Sequence, residues 1–157
     1  MRLWLLVLLA LACVGCGVRP SGVIGGNPAP TGPVNGVTLF LVQDGQLVPI
    51  LRTTTTQLTP TEAVTVLAAG PSSAEKAQTL RTQVPTDIAP INVTTTPSGT
   101  TIDVAIDPNS LSTVAVEQLV CTAVSAMTEQ PSAPGSPSFS ITGAGRTIGS
   151  LVCRETG

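Results

Sequence analysis

The sequence predicts a small α+β domain, with helices packed on one face of an antiparallel or mixed β-sheet. Three pairs of short segments rich in β-branched residues are each joined by a turn that contains glycine, which is the pattern of a β-hairpin. Helical segments separate the three pairs, so the predicted order of elements is ββ-αα-ββ-α-ββ. Helices that fall between hairpins favour an α+β sandwich.

The first hairpin is predicted at residues 37–52. The apolar run VTLFLVQ (37–43) and the return segment QLVPILR (46–52) flank Asp-Gly at 44–45, a strong signal for a two-residue turn. Pro49 has no N–H to donate, so the return segment is expected to be an edge strand.

Two helices are predicted next, each from a capping signature. The segment TPTE (59–62) has the form of a capping box, in which Thr59 caps the helix and Glu62 reaches back to it. Gly-Pro at 70–71 ends this helix, and SSAE (72–75) repeats the signature for a short helix to about Leu80. The apolar face of the first helix is expected to contain Ala63, Val66 and Leu67.

The second hairpin is predicted around the turn PSG (97–99). It joins INVTTT (91–96) to TTIDVAID (100–107), where apolar residues alternate with polar ones as far as Asp107. This alternation predicts a half-buried antiparallel strand over the whole second segment.

A long helix and a third hairpin complete the domain. The helix is predicted over residues 112–130, and the hairpin joins SFSIT (138–142) to TIGSLVC (147–153). The apolar face of the helix is expected to contain Val116, Leu119, Val120, Ala123, Val124 and Met127.

Residues 1–15 have the layout of a secretory signal peptide. Arg2 precedes an apolar run from Leu3 to Ala12, and small residues follow. The run has about half of the roughly 20 residues that a membrane span needs. We therefore expect export of the chain from the cytoplasm.

Cys13 and Cys16 form a C-x-x-C, which can be a redox pair, part of a zinc site or a lipid attachment site. A redox pair belongs to a turn inside a folded domain, and a zinc site needs further Cys or His ligands close by. Gly15-Cys16 resembles the end of a bacterial lipoprotein lipobox, although Cys13 replaces the usual leucine. We therefore predict a lipid on Cys16, with Cys13 as the alternative attachment site.

The predicted organisation has three parts. Residues 1–15 are the signal peptide, residues 16–36 are a lipidated tether rich in Gly and Pro, and residues 37–157 are the folded domain. The tether contains too few large apolar side chains to offset the entropy of ordering it.

Cys121 and Cys153 remain for the folded domain. In an oxidising compartment two such cysteines are expected to form a disulfide, here between the long helix and the end of the last strand. Two separate buried thiols are the alternative.

No catalytic, metal or cofactor site is predicted. The chain has no His, and Lys76 is expected beside Glu75 on a solvated helix face. Asp103 and Asp107, on one face of a strand, would lie about 13 Å apart, beyond the distance that paired glycosidase carboxylates use. The seven basic residues are scattered, which argues against nucleic-acid binding.

Several stretches resemble a GerMN domain, the domain named for sporulation and spore germination proteins. They are GVTLFLVQDGQLVPILR, TPTEAVTVLAAGPSSAEKAQTLRTQVP and LSTVAVEQLVCTAV, and the resemblance covers about residues 37–153. The overall form is similar to actinobacterial GerMN lipoproteins. The resemblance implies a small α+β domain that acts through protein–protein contacts in the cell envelope and has no catalytic residues.

We therefore expect a lipoprotein held on the extracytoplasmic face of the cell membrane. Its domain is expected to be an interaction or scaffold module with envelope protein partners and no cofactor. The alternative is a lipoprotein that binds a small ligand or a cell-wall glycan, although Phe40 and Phe139 are the only aromatic residues after the signal peptide.

Overall fold

The three predicted hairpins supply all the strands that the structure describes. They pair β1 (Gly36–Gln43) with β2 (Gln46–Thr53), β3 (Asn92–Thr96) with β4 (Gly99–Asp103), and β5 (Phe139–Gly143) with β6 (Arg146–Leu151). This computed structural model describes residues 35–128 and 138–154. The predicted signal peptide, Cys16 and the tether up to residue 34 lie outside the described residues.

The helices occupy the predicted intervals, which confirms the α+β class. They are α1 (Pro60–Ala68), α2 (Ser73–Ala77) and α3 (Thr113–Thr128), with short 3-10 turns at Thr86–Ile88 and Pro108–Ser110. Both predicted capping boxes are formed, because Glu62 and Glu75 each accept a hydrogen bond from the backbone N–H of the capping residue.

The strands divide between two sheets. β1 and β2 form a two-stranded sheet, and the other strands form a four-stranded sheet in the order β3-β4-β5-β6. β4 and β5 are parallel. The connection between them contains α3, which returns the chain to the end of the sheet where β4 begins, so that β5 runs in the same direction. Pro49 lies on the edge strand β2, as predicted.

The core lies where α1 and α3 pack on each other and on β1. Its largest fully buried apolar side chains include Leu39, Leu41, Leu67, Ile102, Leu119, Phe139 and Ile141. Val64 takes the buried position on α1 that was predicted for Val66, which is only half-buried. On α3, the predicted Val116 and Val124 are half-buried, whereas Leu119, Val120, Ala123 and Met127 are buried.

The predicted strand over residues 100–107 is too long, because β4 ends at Asp103. Ala105 donates its backbone N–H to the Ile88 carbonyl, so the chain leaves the sheet there. Asp107 then caps the Pro108–Ser110 turn by accepting a hydrogen bond from the backbone N–H of Asn109. The aspartate and the proline after it favour this turn over an extended strand.

The edge of β1 that faces away from β2 is closed without a full strand. Val42 exchanges two backbone hydrogen bonds with Arg81, at 2.8 and 2.9 Å. The Phe40 N–H donates to the Thr122 side chain at 3.1 Å, and the Phe40 carbonyl accepts from the Gln118 amide at 2.8 Å. Buried polar side chains of α3 thus satisfy backbone groups that a neighbouring strand would otherwise pair.

Candidate functional site

Cys121 and Cys153 form a disulfide, which ties the middle of α3 to the segment after β6. Cys121 is buried and Cys153 is half-buried. The predicted pairing is therefore present, in place of two separate thiols. The bridge joins two elements that are 32 residues apart in the chain.

A β-bulge directs the end of β6 towards this bridge. In the pairing of β5 with β6, Phe139 lies opposite Leu151 and Ile141 lies opposite Ile148, so β6 contains one extra residue. Ser150, in the bulged stretch, has a φ of 60°, in the left-handed region. Such an insertion bends a strand and changes the direction of the side chains after it.

A groove of about 400 Å³ lies between α3, the Pro108–Ser110 turn and the end of β6, and we call it the α3–β6 groove. Its apolar walls are formed by Leu111, Val116 and Val120 on one side and by Ile148, Leu151 and Val152 on the other. Val152 is 57% exposed, one of two strongly exposed large hydrophobic side chains in the described part of the chain. The disulfide holds the walls together, because its cysteines directly follow Val120 and Val152.

The α3–β6 groove also carries one acidic and one basic side chain. Glu117 is half-buried on α3, and Arg154 is exposed after Cys153. Within residues 35–128 and 138–154, neither side chain has a hydrogen-bond or ion-pair partner. The two charges therefore remain available to a ligand that occupies the groove.

The ion pair of the described residues is Arg52 with Glu75, on β2 and α2. The Arg52 Nε donates to Glu75 Oε1 at 2.8 Å, and its Nη2 donates to the other carboxylate oxygen and to the Gly70 carbonyl. The hydrogen bonds from Arg52 lower the pKa of Glu75 to about 2, against the opposing effect of burial. Glu75 is buried and therefore does not share the solvated face on which it was predicted.

The other polar residues that the sequence singled out do not meet in a site. Lys76 is exposed, as predicted, and lines a second surface groove, of about 430 Å³, with Arg81. Asp103 ends β4 and Asp107 caps the next turn, so the two do not share one face of a strand. The hydrogen bonds from Asn109 lower the pKa of Asp107.

The groove residues Glu117, Val152 and Arg154 were not predicted from the sequence. Glu117 resembles any charged residue on the solvated side of an amphipathic helix. Val152 and Arg154 flank Cys153 in the sequence. The predicted disulfide from Cys153 to α3 could have placed both of them near the helix, because a disulfide brings the neighbours of each cysteine close to the other.

Comparisons of the chain with protein-family models, with curated proteins and with solved structures each gave no match. The resemblance to GerMN domains therefore stays a prediction. The described residues contain no group of three or more His, Cys, Asp or Glu side chains that could hold a metal ion. None of the described helices has the length and apolar character needed to cross a membrane.

Proposed function

We propose that the chain is a lipoprotein anchored on the extracytoplasmic face of the membrane, whose GerMN-like domain binds protein partners through the α3–β6 groove. The observation that carries the interaction role is this groove, where apolar walls are joined by a disulfide and Val152 is 57% exposed. Exposed apolar side chains that line a concave surface are typical of binding sites.

The compartment is supported by two independent features. The first residues have the layout of an export signal that ends at a lipobox-like Gly15-Cys16. The Cys121–Cys153 disulfide is the kind of bond that persists in an oxidising compartment.

The anchor is tested by the variant Cys16→Ala. We expect the parent chain to fractionate with membranes and to incorporate a labelled fatty acid, and the variant to lose both properties. Cys13→Ala is the matched control, which should keep the lipid. Full retention of label and membrane association by Cys16→Ala would show that Cys16 is not the attachment site.

The interaction role is tested by a photo-crosslinking amino acid placed at Val152 in intact cells. We expect reproducible adducts to one or a few envelope proteins. The same amino acid at Leu51, which is 65% exposed on β2 and distant in sequence from the groove, is the control. Equal adduct patterns at the two positions would contradict a specific role for the groove.

A second candidate is the glycan-binding function. Ile102 and Ile141 are buried on one face of the four-stranded sheet. The opposite face carries many hydroxyl groups, among them those of Thr94, Thr101, Ser140, Thr142 and Thr147. Hydroxyl groups can bind sugars, but Phe40 and Phe139 are buried and cannot provide a stacking surface. Sedimentation with purified cell wall, lost when Thr94 and Thr101 are replaced by valine, would favour this candidate.

A further inference from the structure

The two unpaired charges of the α3–β6 groove restrict what it can bind. We propose that it binds an extended peptide segment of a partner protein in which apolar residues lie between a cationic and an anionic residue. The cationic residue pairs with Glu117 and the anionic residue pairs with Arg154. This inference rests on the proposed function and adds to it the chemistry of the partner.

A ligand that covers the groove would bury Glu117 further, and an unpaired buried carboxylate is costly. Glu117 is half-buried on the wall that also contains Val116, and it has no partner among the described residues. Partial burial removes water from a charged group, and that loss is offset only when an opposite charge or a hydrogen-bond donor replaces the water. A ligand that covers the groove must therefore supply a cation or a hydrogen-bond donor to this position, and a cationic side chain supplies both.

Arg154 brings the opposite charge to the groove. It lies after β6, across the groove from α3, so a ligand between the walls meets both charges. An anionic ligand such as a phosphate would be repelled by Glu117, and a purely cationic one by Arg154. A neutral glycan could donate hydroxyl hydrogen bonds to Glu117, but it would form a charge pair with neither side chain. A ligand that carries both a cation and an anion can pair with Glu117 and with Arg154 at the same time.

Apolar side chains also line the groove. Val116 and Ile148 are half-buried and Val152 is exposed, so these three side chains are positioned to contact apolar side chains of the ligand. A volume of about 400 Å³ lies within the usual range for small-ligand pockets, which suits a few residues better than a folded surface. The disulfide fixes both walls before binding, which reduces the entropy lost on association.

The test uses fluorescently labelled tetrapeptides with acetylated and amidated ends, and fluorescence anisotropy with the purified full chain. The probes are Lys-Leu-Val-Glu, the acidic Glu-Leu-Val-Glu, and the polar Lys-Ser-Ser-Glu. We expect Lys-Leu-Val-Glu to bind about five- to tenfold more tightly than either of the others, because each control lacks one charge contact or the apolar contacts.

Charge reversal makes the test independent of the absolute affinity. The variant Glu117→Lys should reverse the preference, so that Glu-Leu-Val-Glu binds more tightly than Lys-Leu-Val-Glu. The variant Arg81→Glu, at an exposed position outside the α3–β6 groove, should leave the preference of the parent chain unchanged. Thermal unfolding of each variant checks that the fold is retained.

Two outcomes would overturn this inference. One is binding of all three probes within about twofold of one another or with no detectable saturation. The other is a folded Glu117→Lys variant that keeps the parent preference. If either occurs while crosslinking from Val152 still captures a specific protein, the interaction role stands and the proposed chemistry of the partner is wrong. If the crosslinks are also absent, the proposed interaction role fails as well, whatever the Cys16→Ala test shows for the anchor.

Discussion

Replacing Gln118 with leucine should destabilise the domain strongly, although the two side chains have similar sizes. Gln118 is fully buried, and its amide donates to the Phe40 carbonyl at 2.8 Å while its oxygen accepts from the Gln83 backbone N–H at 2.8 Å. Leucine can do neither. The substitution therefore leaves a buried carbonyl and a partly buried N–H without partners.

The magnitude follows from the burial of these two groups. An unsatisfied buried carbonyl costs about 1–3 kcal/mol, and the partly buried N–H of Gln83, which water can approach, costs about 1 kcal/mol. We therefore expect the free energy of unfolding to fall by about 2–4 kcal/mol. With a urea m-value of about 2 kcal/mol/M, the midpoint should fall by about 1–2 M.

The assay is urea denaturation of the purified chain with the disulfide intact. The exposed Gln46→Leu is the matched control and should change the free energy of unfolding by less than about 0.5 kcal/mol. Thr122→Val should cost about 1–2 kcal/mol and should accelerate hydrogen exchange at the Phe40 amide, which loses its acceptor. A loss below about 1 kcal/mol for Gln118→Leu, with an unchanged m-value, would refute the reasoning.

Three further predictions concern other parts of the fold. The ionised Glu75 should stabilise the domain above about pH 5 and lose that effect as pH falls towards 2, because its pKa is about 2 in the folded chain against an ordinary value of 4.5. The ionised Glu75 accounts for about 3 kcal/mol of the free energy of unfolding that is lost between about pH 5 and pH 2, and Glu75→Gln should abolish that part of the loss. An equal loss in the parent chain and the variant would contradict this role of Glu75. Thr79 follows the C-cap residue of α2 and has a φ of 65°, so replacing it with glycine should stabilise the domain by about 0.5–1 kcal/mol and replacing it with alanine should not, as measured by the urea midpoint. Gly143→Ala should lower the thermal midpoint through a loss of about 1–3 kcal/mol, because the added Cβ would overlap the Ile106 carbonyl oxygen. Gly149→Ala, whose nearest neighbour would be 3.9 Å away, is the control, and equal midpoints for the two variants would contradict the steric argument.

Local signals account for what the sequence predicted well. The Asp-Gly turn at 44–45, the capping boxes at Thr59 and Ser72, and the position of Pro49 each depend on residues within one element. Features that depend on distant residues were not predictable in the same way. The division into two sheets, the end of β4 at Asp103 and the groove all depend on which elements meet after folding.

The burial of Gln118 was missed for a physical reason. On an amphipathic helix, a glutamine outside the apolar stripe is normally assigned to solvent. Here α3 is covered by α1 and β1 and is joined through Cys121 to the segment after β6, so its buried face is wider than the apolar stripe. A polar residue on that wider face is stable only where it meets backbone groups that need partners, such as those of Phe40.

The neighbouring positions 117 and 118 therefore have separate roles on the same helix. They point about 100° apart around an α-helix, so Gln118 closes the edge of β1 while Glu117 faces the α3–β6 groove. Glu117→Gln should alter peptide preference and change the free energy of unfolding by less than about 0.5 kcal/mol, because Glu117 has no partner to lose among the described residues. Gln118→Leu should lower the free energy of unfolding and leave the peptide preference unchanged, when binding is measured under conditions in which the variant is folded. If Glu117→Gln instead lowers the free energy of unfolding as much as Gln118→Leu does, the Glu117 carboxylate stabilises the fold. It would then not be an unpaired charge available to a ligand of the α3–β6 groove.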